Sequence, residues 1–314
     1  MFINAMGYYV PSERVPNSYF LNVNGLTDEW ILQRTGISTR SKASQNENTQ
    51  TMGIEAVKSA LSALPYDVKD VDLVIGATYT PYDTVATLAH RVQKEFGIEN
   101  AKAFFLSSAC SSLVNAVEVA ECFFAAGKAT KALIVSSEHN TSYSNEADPQ
   151  SGHLWGDGAV ALFVSKESSA ANEPRVLEVF TRALGTVGKS TDGVYLRPRT
   201  EGLVMPDGRD VFINATKYMC EALNVMTQNQ GKTISDLNYV VTHQANKRIV
   251  ANVANQLDLS DDKFLNNIEK YGNTGSPSSM IVVAENQGRF KAGDLVGITV
   301  FGGGYSSGGL LIQF

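Results

Sequence analysis

Cysteine is scarce in this chain and never closely paired. The 314 residues hold three, Cys110, Cys122 and Cys220, with no Cys-x-x-Cys. That excludes a disulfide framework and a four-thiolate zinc site, and it suits reduced thiols in a reducing compartment. No uncharged apolar run approaches the roughly 18 residues of a membrane span, and the N-terminal MFINAMGYYVPSERVPNS lacks a basic stretch followed by an apolar one. An excess of positive charge is missing too. With 26 Lys and Arg against 32 Asp and Glu, no global basic field draws the chain to nucleic acid or an anionic membrane. The expectation is a soluble cytoplasmic protein with no nucleic-acid and no membrane partner. At 43% hydrophobic and 18% charged residues, it can bury a large core in one big domain or two fused ones.

Short apolar runs alternate with longer segments of helical period, the pattern of α/β layers with buried strands. Strands are expected at Val71–Ala77, Ala103–Leu106, Ala132–Ser136, Ala159–Val164, Tyr239–Thr242, Leu295–Phe301 and Leu310–Phe314. Helices are expected at Thr51–Leu64, Thr87–Phe96, Ser112–Ala126, Val211–Thr227, Lys247–Gln256 and Pro277–Phe290. The polar KESSAANEP of 166–174 breaks both periods and is the natural junction. On either side of it the elements run in the same order at an offset of roughly 165 residues, which points to a duplication. The halves are 1–168 and 169–314, and ligands would enter where the loops at their strand ends meet.

Three polar residues stand at such strand ends. Cys110, in FFLSSACSSLVNAVEV, follows a strand and opens a helix. There, unpaired N–H groups and the helix dipole would lower the thiol pKa. The competing reading is a small buried hydrophobe, as it is for Cys122 and Cys220 in mid-helix. His243, in VVTHQANKRI, is placed to hold or move a proton, or else to cap a loop. Asn273, in YGNTGSPSS, occupies in the second half the place of Cys110 in the first, or is a plain turn asparagine. Duplication brings all three loops to one cavity.

DEWILQRTGISTR, SSACSS, WGDGAVALF, HQANKRI, YGNTGSPSS and FGGGYSSG, in this order from about residue 1 to 314, resemble the β-ketoacyl-ACP synthase III family of the thiolase superfamily. The resemblance implies an α/β fold of five α/β/α/β/α layers in two duplicated halves, a homodimer, and no resident cofactor or metal. Acyl-CoA and malonyl-ACP would be the substrates. Cys110 would be the acyl-accepting nucleophile and His243 and Asn273 its partners, with the backbone N–H groups of Cys110 and Gly303 forming an oxyanion hole. Trp30 and Arg34 match CoA adenine and phosphate contacts, and Phe212 and Asn246 match positions beside the pantetheine channel. Lys247 and Arg248 would face an acidic carrier protein.

Residue counting separates relatives. Thiolases need a second catalytic cysteine late in the chain, and none follows Cys220. The elongating synthases use two histidines in the second half, where His243 is alone. The chain also departs from the family. DPQSGHLWGDGA replaces an Arg-Gly-Thr and an aliphatic run, so one phosphate-binding arginine is missing. His153 and Trp155 stand where apolar residues usually shape the acyl pocket. Val85 stands where a bulky ring usually limits chain length across the dimer interface, which hints at a longer or differently shaped acyl group. The expected reaction is acyl transfer to Cys110 and a decarboxylative condensation in fatty-acid initiation. The alternatives are a specialised secondary-metabolism relative and a non-catalytic module that binds CoA or carrier protein.

Overall fold

The computed structural model describes all 314 residues. In chain order the strands are β1 (Phe2–Tyr9), β2 (Glu13–Pro16), β3 (Thr39–Lys42), β4 (Leu73–Ala77), β5 (Lys102–Leu106), β6 (Lys131–His139), β7 (Asp157–Ser165), β8 (Arg175–Ala183), β9 (Tyr195–Arg197), β10 (Gly202–Val204), β11 (Tyr239–Thr242), β12 (Leu295–Gly302) and β13 (Ser306–Gln313). The helices are α1 (Ser18–Asn24), α2 (Asp28–Thr35), α3 (Thr49–Ala60), α4 (Leu88–Phe96), α5 (Ser112–Ala125), α6 (Gly208–Asn229), α7 (Lys247–Leu257), α8 (Ile268–Tyr271) and α9 (Ser278–Glu285).

The duplication is written in the strand pairing. One sheet runs β5-β4-β6-β7-β1 and the other β8-β13-β12-β11, and the two touch through the single pair Phe2–Arg175. In the first, β4 pairs in parallel with both β5 and β6, while β6–β7 and β7–β1 are antiparallel. In the second, β11–β12 is parallel and β12–β13 and β13–β8 are antiparallel. Phe264, bridged in parallel to Val240, stands in for β5.

The layers follow from which faces are apolar. α5 (SLVNAVEVAECFFA) and α9 (SSMIVVAE) carry apolar residues on nearly every side, as a helix must when a sheet covers both of its faces. They form the middle layer, in one core with residues of β4, β6, β7, β12 and β13. α3 and α4 are apolar on one face and cover the outside of the first sheet, while α6 and α7 cover the second. The outcome is the five-layer α/β/α/β/α arrangement, and its loops at the strand ends of both sheets converge.

Six strands escaped the sequence reading: the short β2, β3, β9 and β10, which form separate two-stranded sheets, and two strands of the main sheets. β1 is broken up by Asn4, Gly7 and a register shift between Ile3 and Ala5, and β8 (RVLEVFTRA) is too polar to read as a buried run. The segment 166–174 does connect β7 to β8. Cys122 is exposed near the end of α5 rather than packed in a core.

Candidate active site

The chain places Cys110 with unusual care. After β5 ends, Ala109 adopts a left-handed conformation, φ 48°, which is strained for a residue with a side chain. This twist sets Cys110 against the first turn of α5. Ser112 locks the loop by accepting from the Ser108 N–H at 2.8 Å and donating to the Ala109 carbonyl at 2.6 Å. From the other half, β12 ends against the same spot. A Cβ on Gly302 would sit 2.7 Å from the Cys110 nitrogen, so only glycine allows the approach that brings the Gly303 N–H to the sulfur.

His243 and Asn273 arrive from the second half. His243 follows β11, and its Nδ1 lies 2.8 Å from the hydroxyl of Ser278, the first residue of α9. That hydroxyl also accepts from the Gln244 N–H at 3.3 Å. Its proton is then free for Nδ1, an assignment that puts the imidazole proton on Nε2, which has no protein partner. Asn273 turns its Oδ1 to the Gly275 N–H at 3.0 Å, which leaves its Nδ2 donors without an acceptor. Both side chains are buried.

Cys110, Gly303, His243 and Asn273 line one narrow space of about 30 Å³. It is a neck between two larger cavities. Towards the surface it shares Met205, Val211, Ala245 and Ile249 with a mouth of about 420 Å³. On its other side it shares Cys110, Trp155, Val194 and Gly303 with an open cleft of about 870 Å³.

The mouth gathers Trp30, Arg34, Phe212, Asn246 and Arg248. The Arg34 guanidinium lies 4.4 Å above the Trp30 ring, and that of Arg248 lies 6.0 Å from Phe212. Asn246 caps α7 by accepting from the Arg248 N–H at 2.8 Å and donates to the Arg34 carbonyl at 3.0 Å, so its amide holds the two sides of the mouth together. Lys247 points elsewhere, to Glu269 at 3.3 Å. Arg209, unnoticed in the sequence, also lines the mouth. It adds a third guanidinium beside Gln150, in the region that lost the family's arginine.

One expectation for the acyl pocket is corrected. His153 lies in the wall of the mouth, not in the larger cleft, with its ring edge-on to Trp30 at 5.5 Å. Burial, with the nearby Arg40 charge, pushes it down to about 4, so it is neutral. Within one chain Val85 lines none of these spaces: the Asp83 side chain accepts from its backbone N–H in a surface turn, and Val85 is left 85% exposed, as a position facing a second copy would be. Trp155 lines the larger cleft.

The packing works against the expected low thiol pKa. Burial, and then the negative charge of Glu138, push Cys110 up to about 12, against the opposing contacts from the Tyr79 hydroxyl and the backbone N–H groups of Gly303 and Cys110. Modification of Cys110 by iodoacetamide, followed by peptide mass spectrometry, should therefore quicken about tenfold per pH unit from 7 to 9. A plateau in that range would show an ionised sulfur.

Glu138, fully buried at the end of β6, was not anticipated. It accepts from Thr78, Tyr79, Thr80 and Ser276, and burial still raises it to about 7. Through Ser276 it ties the first half to the loop that carries Asn273. The one sequence signal was a lone carboxylate closing an apolar run, KALIVSSEH. Burial likewise holds His243 down to about 4 and hence neutral.

Known proteins match this architecture. Models of the N- and C-terminal parts of 3-oxoacyl-[acyl-carrier-protein] synthase III match residues 104–185 and 227–314. The chain is 32% identical over 320 residues to a β-ketoacyl-[acyl-carrier-protein] synthase III of Agrobacterium fabrum, covering 99% of this chain and 98% of the relative. It is 33% identical to that of Clostridium botulinum, covering 98% and 96%. The crystal structure of 3-oxoacyl-[acyl-carrier-protein] synthase III from Aquifex aeolicus superposes with a TM-score of 0.92 at 30% identity, covering 100% of this chain and 99% of that one. Similarity at this level, end to end in sequence and in fold, means that the chain belongs to the β-ketoacyl-[acyl-carrier-protein] synthase III family.

Proposed function

We propose that the protein is a decarboxylating condensing enzyme that moves an acyl group from acyl-CoA to Cys110 and joins it to malonyl-ACP. One observation carries this reading: a single neck, lined by Cys110, His243 and Asn273, connects a mouth rich in aromatic and guanidinium groups to a larger cleft on the other side of the sulfur. The halves 1–168 and 169–314 each supply part of it. No metal or other cofactor is needed for the steps that follow.

In the first step the Cys110 sulfur attacks the thioester carbonyl. The N–H groups of Cys110 and Gly303 stabilise the oxyanion, the C–S bond to CoA breaks, and the thiol proton ends on the departing CoA sulfur. Trp30 stacks on the adenine while Arg34 and Arg209 meet phosphates. In the second step the malonyl thioester enters through the same neck and loses CO₂. The electron pair passes to the thioester oxygen, where His243 Nε2–H and Asn273 Nδ2–H donate. The enolate carbon then attacks the acyl-cysteine carbonyl, the C–S bond to Cys110 breaks to release the β-ketoacyl thioester, and the freed sulfur takes up one proton from solvent. A non-catalytic CoA-binding module would have no use for unpartnered donors beside a buried thiol.

The test is exposure to acyl-CoA followed by mass spectrometry of the Cys110 peptide, then CO₂ release on addition of malonyl-ACP. Absence of any adduct would sink the reading. Arg34→Ala and Arg209→Ala should each raise KM for acyl-CoA about three- to tenfold with kcat unchanged, as loss of uniform binding does. An unchanged KM for both would remove the mouth as the CoA site.

The reading includes a homodimer in the cytoplasm. β5 is an edge strand with half-exposed Phe104 tilted against Phe123 at 5.9 Å, and Cys122, Tyr82 and Val85 are exposed as well. Unpaired edges with apolar surface are ordinarily covered. Phe104→Glu should shift the species seen by analytical ultracentrifugation from dimer to monomer. A parent that sediments as a monomer would refute the dimer. No helix is long and apolar enough to cross a membrane.

A further inference from the structure

We infer that the Tyr79 hydroxyl is a further catalytic group, the hydrogen-bond donor that serves the Cys110 sulfur whenever that sulfur carries charge. This rests on the condensing-enzyme reading and concerns the same site.

Topology brings the two side chains together. β4 and β5 pair in parallel with Ala77 opposite Leu106, and the Thr78 N–H donates to the Leu106 carbonyl at 3.2 Å. Tyr79, just past Ala77, and Cys110, just past Leu106, therefore leave the sheet at the same end. Both line the cleft beside the neck, and the phenol oxygen stands against the sulfur. A glycine makes room for it. Gly275, at φ 71° in the loop after Asn273, would with a Cβ come within 2.4 Å of the Tyr79 oxygen.

Hydrogen-bond accounting fixes what the hydroxyl does while the sulfur is neutral. It donates to the Asn140 Oδ1 at 2.8 Å. The Asn140 Nδ2 donates to the Gly156 carbonyl at 2.7 Å and to the Asn273 carbonyl at 3.2 Å, so turning the amide over would set an oxygen against two carbonyls. Towards the sulfur the hydroxyl then presents its lone pairs, which suit an S–H. A negative sulfur reverses this. The O–H turns about its C–O bond from Asn140 to the sulfur and trades a neutral hydrogen bond for a charge-assisted one. No O–H bond breaks. Burial, with the charges of the sulfur and Glu138, holds the phenol well above its ordinary value, so Tyr79 keeps its proton.

The reaction needs such a donor. Glu138 sets a negative charge near the sulfur, and the N–H groups of Cys110 and Gly303 are taken by the thioester oxygen during acyl transfer. The Tyr79 hydroxyl is left for the sulfur, both as it attacks acyl-CoA and as it departs from the β-ketoacyl product.

The experiment compares the parent with Tyr79→Phe, which keeps the ring. Three rates are read: alkylation of Cys110 by iodoacetamide at pH 8, single-turnover acylation by acetyl-CoA or octanoyl-CoA, and CO₂ release when malonyl-ACP meets the pre-acylated enzyme. Alkylation and acylation should each slow about three- to tenfold, since a sulfur without its donor ionises less but is the stronger nucleophile once ionised. CO₂ release should stay within about threefold, because its charge appears on the malonyl oxygen. A merely structural tyrosine, acting through Asn140 on the Asn273 carbonyl, gives the opposite split, with alkylation intact and CO₂ release reduced. That split overturns the inference, as do three unchanged rates. Replacing Tyr79 by 3-fluorotyrosine keeps the shape and makes the phenol a stronger donor, so alkylation should outpace the parent; a rate no higher than the parent's overturns the inference even if Tyr79→Phe fails to fold. A parent that gains no acyl adduct loses the condensing-enzyme reading, while the alkylation comparison, which needs no CoA, still decides what Tyr79 does.

Discussion

Cys110→Ser is expected to abolish the acyl adduct and to lower condensation by at least about 1,000-fold. The substitution keeps the shape of the residue and trades sulfur for a much weaker nucleophile. In the parent, burial and the Glu138 charge push the sulfur up to about 12. Reactivity therefore depends on stabilising the charge as it moves from sulfur to the thioester oxygen, where the Gly303 and Cys110 N–H groups wait. A serine hydroxyl, harder to deprotonate, gains less from the same donors. Since the side chain borders a cavity, the fold should survive with a thermal midpoint within a few degrees of the parent. The measurement is adduct mass on the residue 110 peptide, with the exposed Cys122 as an internal control for non-specific labelling. An adduct retained in the Ser variant, or found on Cys122 alone, would remove Cys110 from the reaction.

The sequence made the buried framework legible for a physical reason. Strands covered by helices on both faces become apolar runs whichever way they pair, and β4 (LVIGA), β7 (DGAVALFVS) and β12 (LVGITVFG) are buried along their whole length. β8 and β1 lack that signal, since β8 is part exposed and β1 carries a polar Asn4 and a bulge. Cys110, His243 and Asn273 were visible because rare or polar residues at apolar strand ends stand out. Ser278 and Glu138 were not. Each matters through a partner that local pattern cannot reveal: Ser278 through an imidazole 35 positions away, Glu138 through a serine 138 positions away. The helix-dipole argument for a low thiol pKa weighed one local effect and omitted desolvation and a buried carboxylate, which only the packed structure supplies.

His243→Ala and Asn273→Ala should separate the two half-reactions. Neither side chain is asked to touch the acyl-CoA carbonyl, so acylation of Cys110 should stay within about threefold of the parent, whereas CO₂ release should fall by about 10²–10³ in each variant. The loss reflects donors aimed at the malonyl thioester oxygen, where charge appears only as CO₂ leaves. Because both donors serve that one oxygen, the double variant should lose less than the product of the single losses. Ser278→Ala gives the graded case: without the hydroxyl at Nδ1, the Nε2–H tautomer is no longer favoured, and CO₂ release should drop about tenfold with acylation intact, while Ser278→Thr restores it. The sign of the pH dependence follows from burial. An imidazole pushed down to about 4 stays neutral through ordinary pH, so the decarboxylation profile should show no inflection near 6.5. In the unfolded chain the same histidine takes up a proton near 6.5. Its contribution to stability is thus intact above that value and is lost as pH falls toward about 4. Acylation that fails together with decarboxylation in His243→Ala would mean that the imidazole moves the thiol proton, and that its role begins a step earlier.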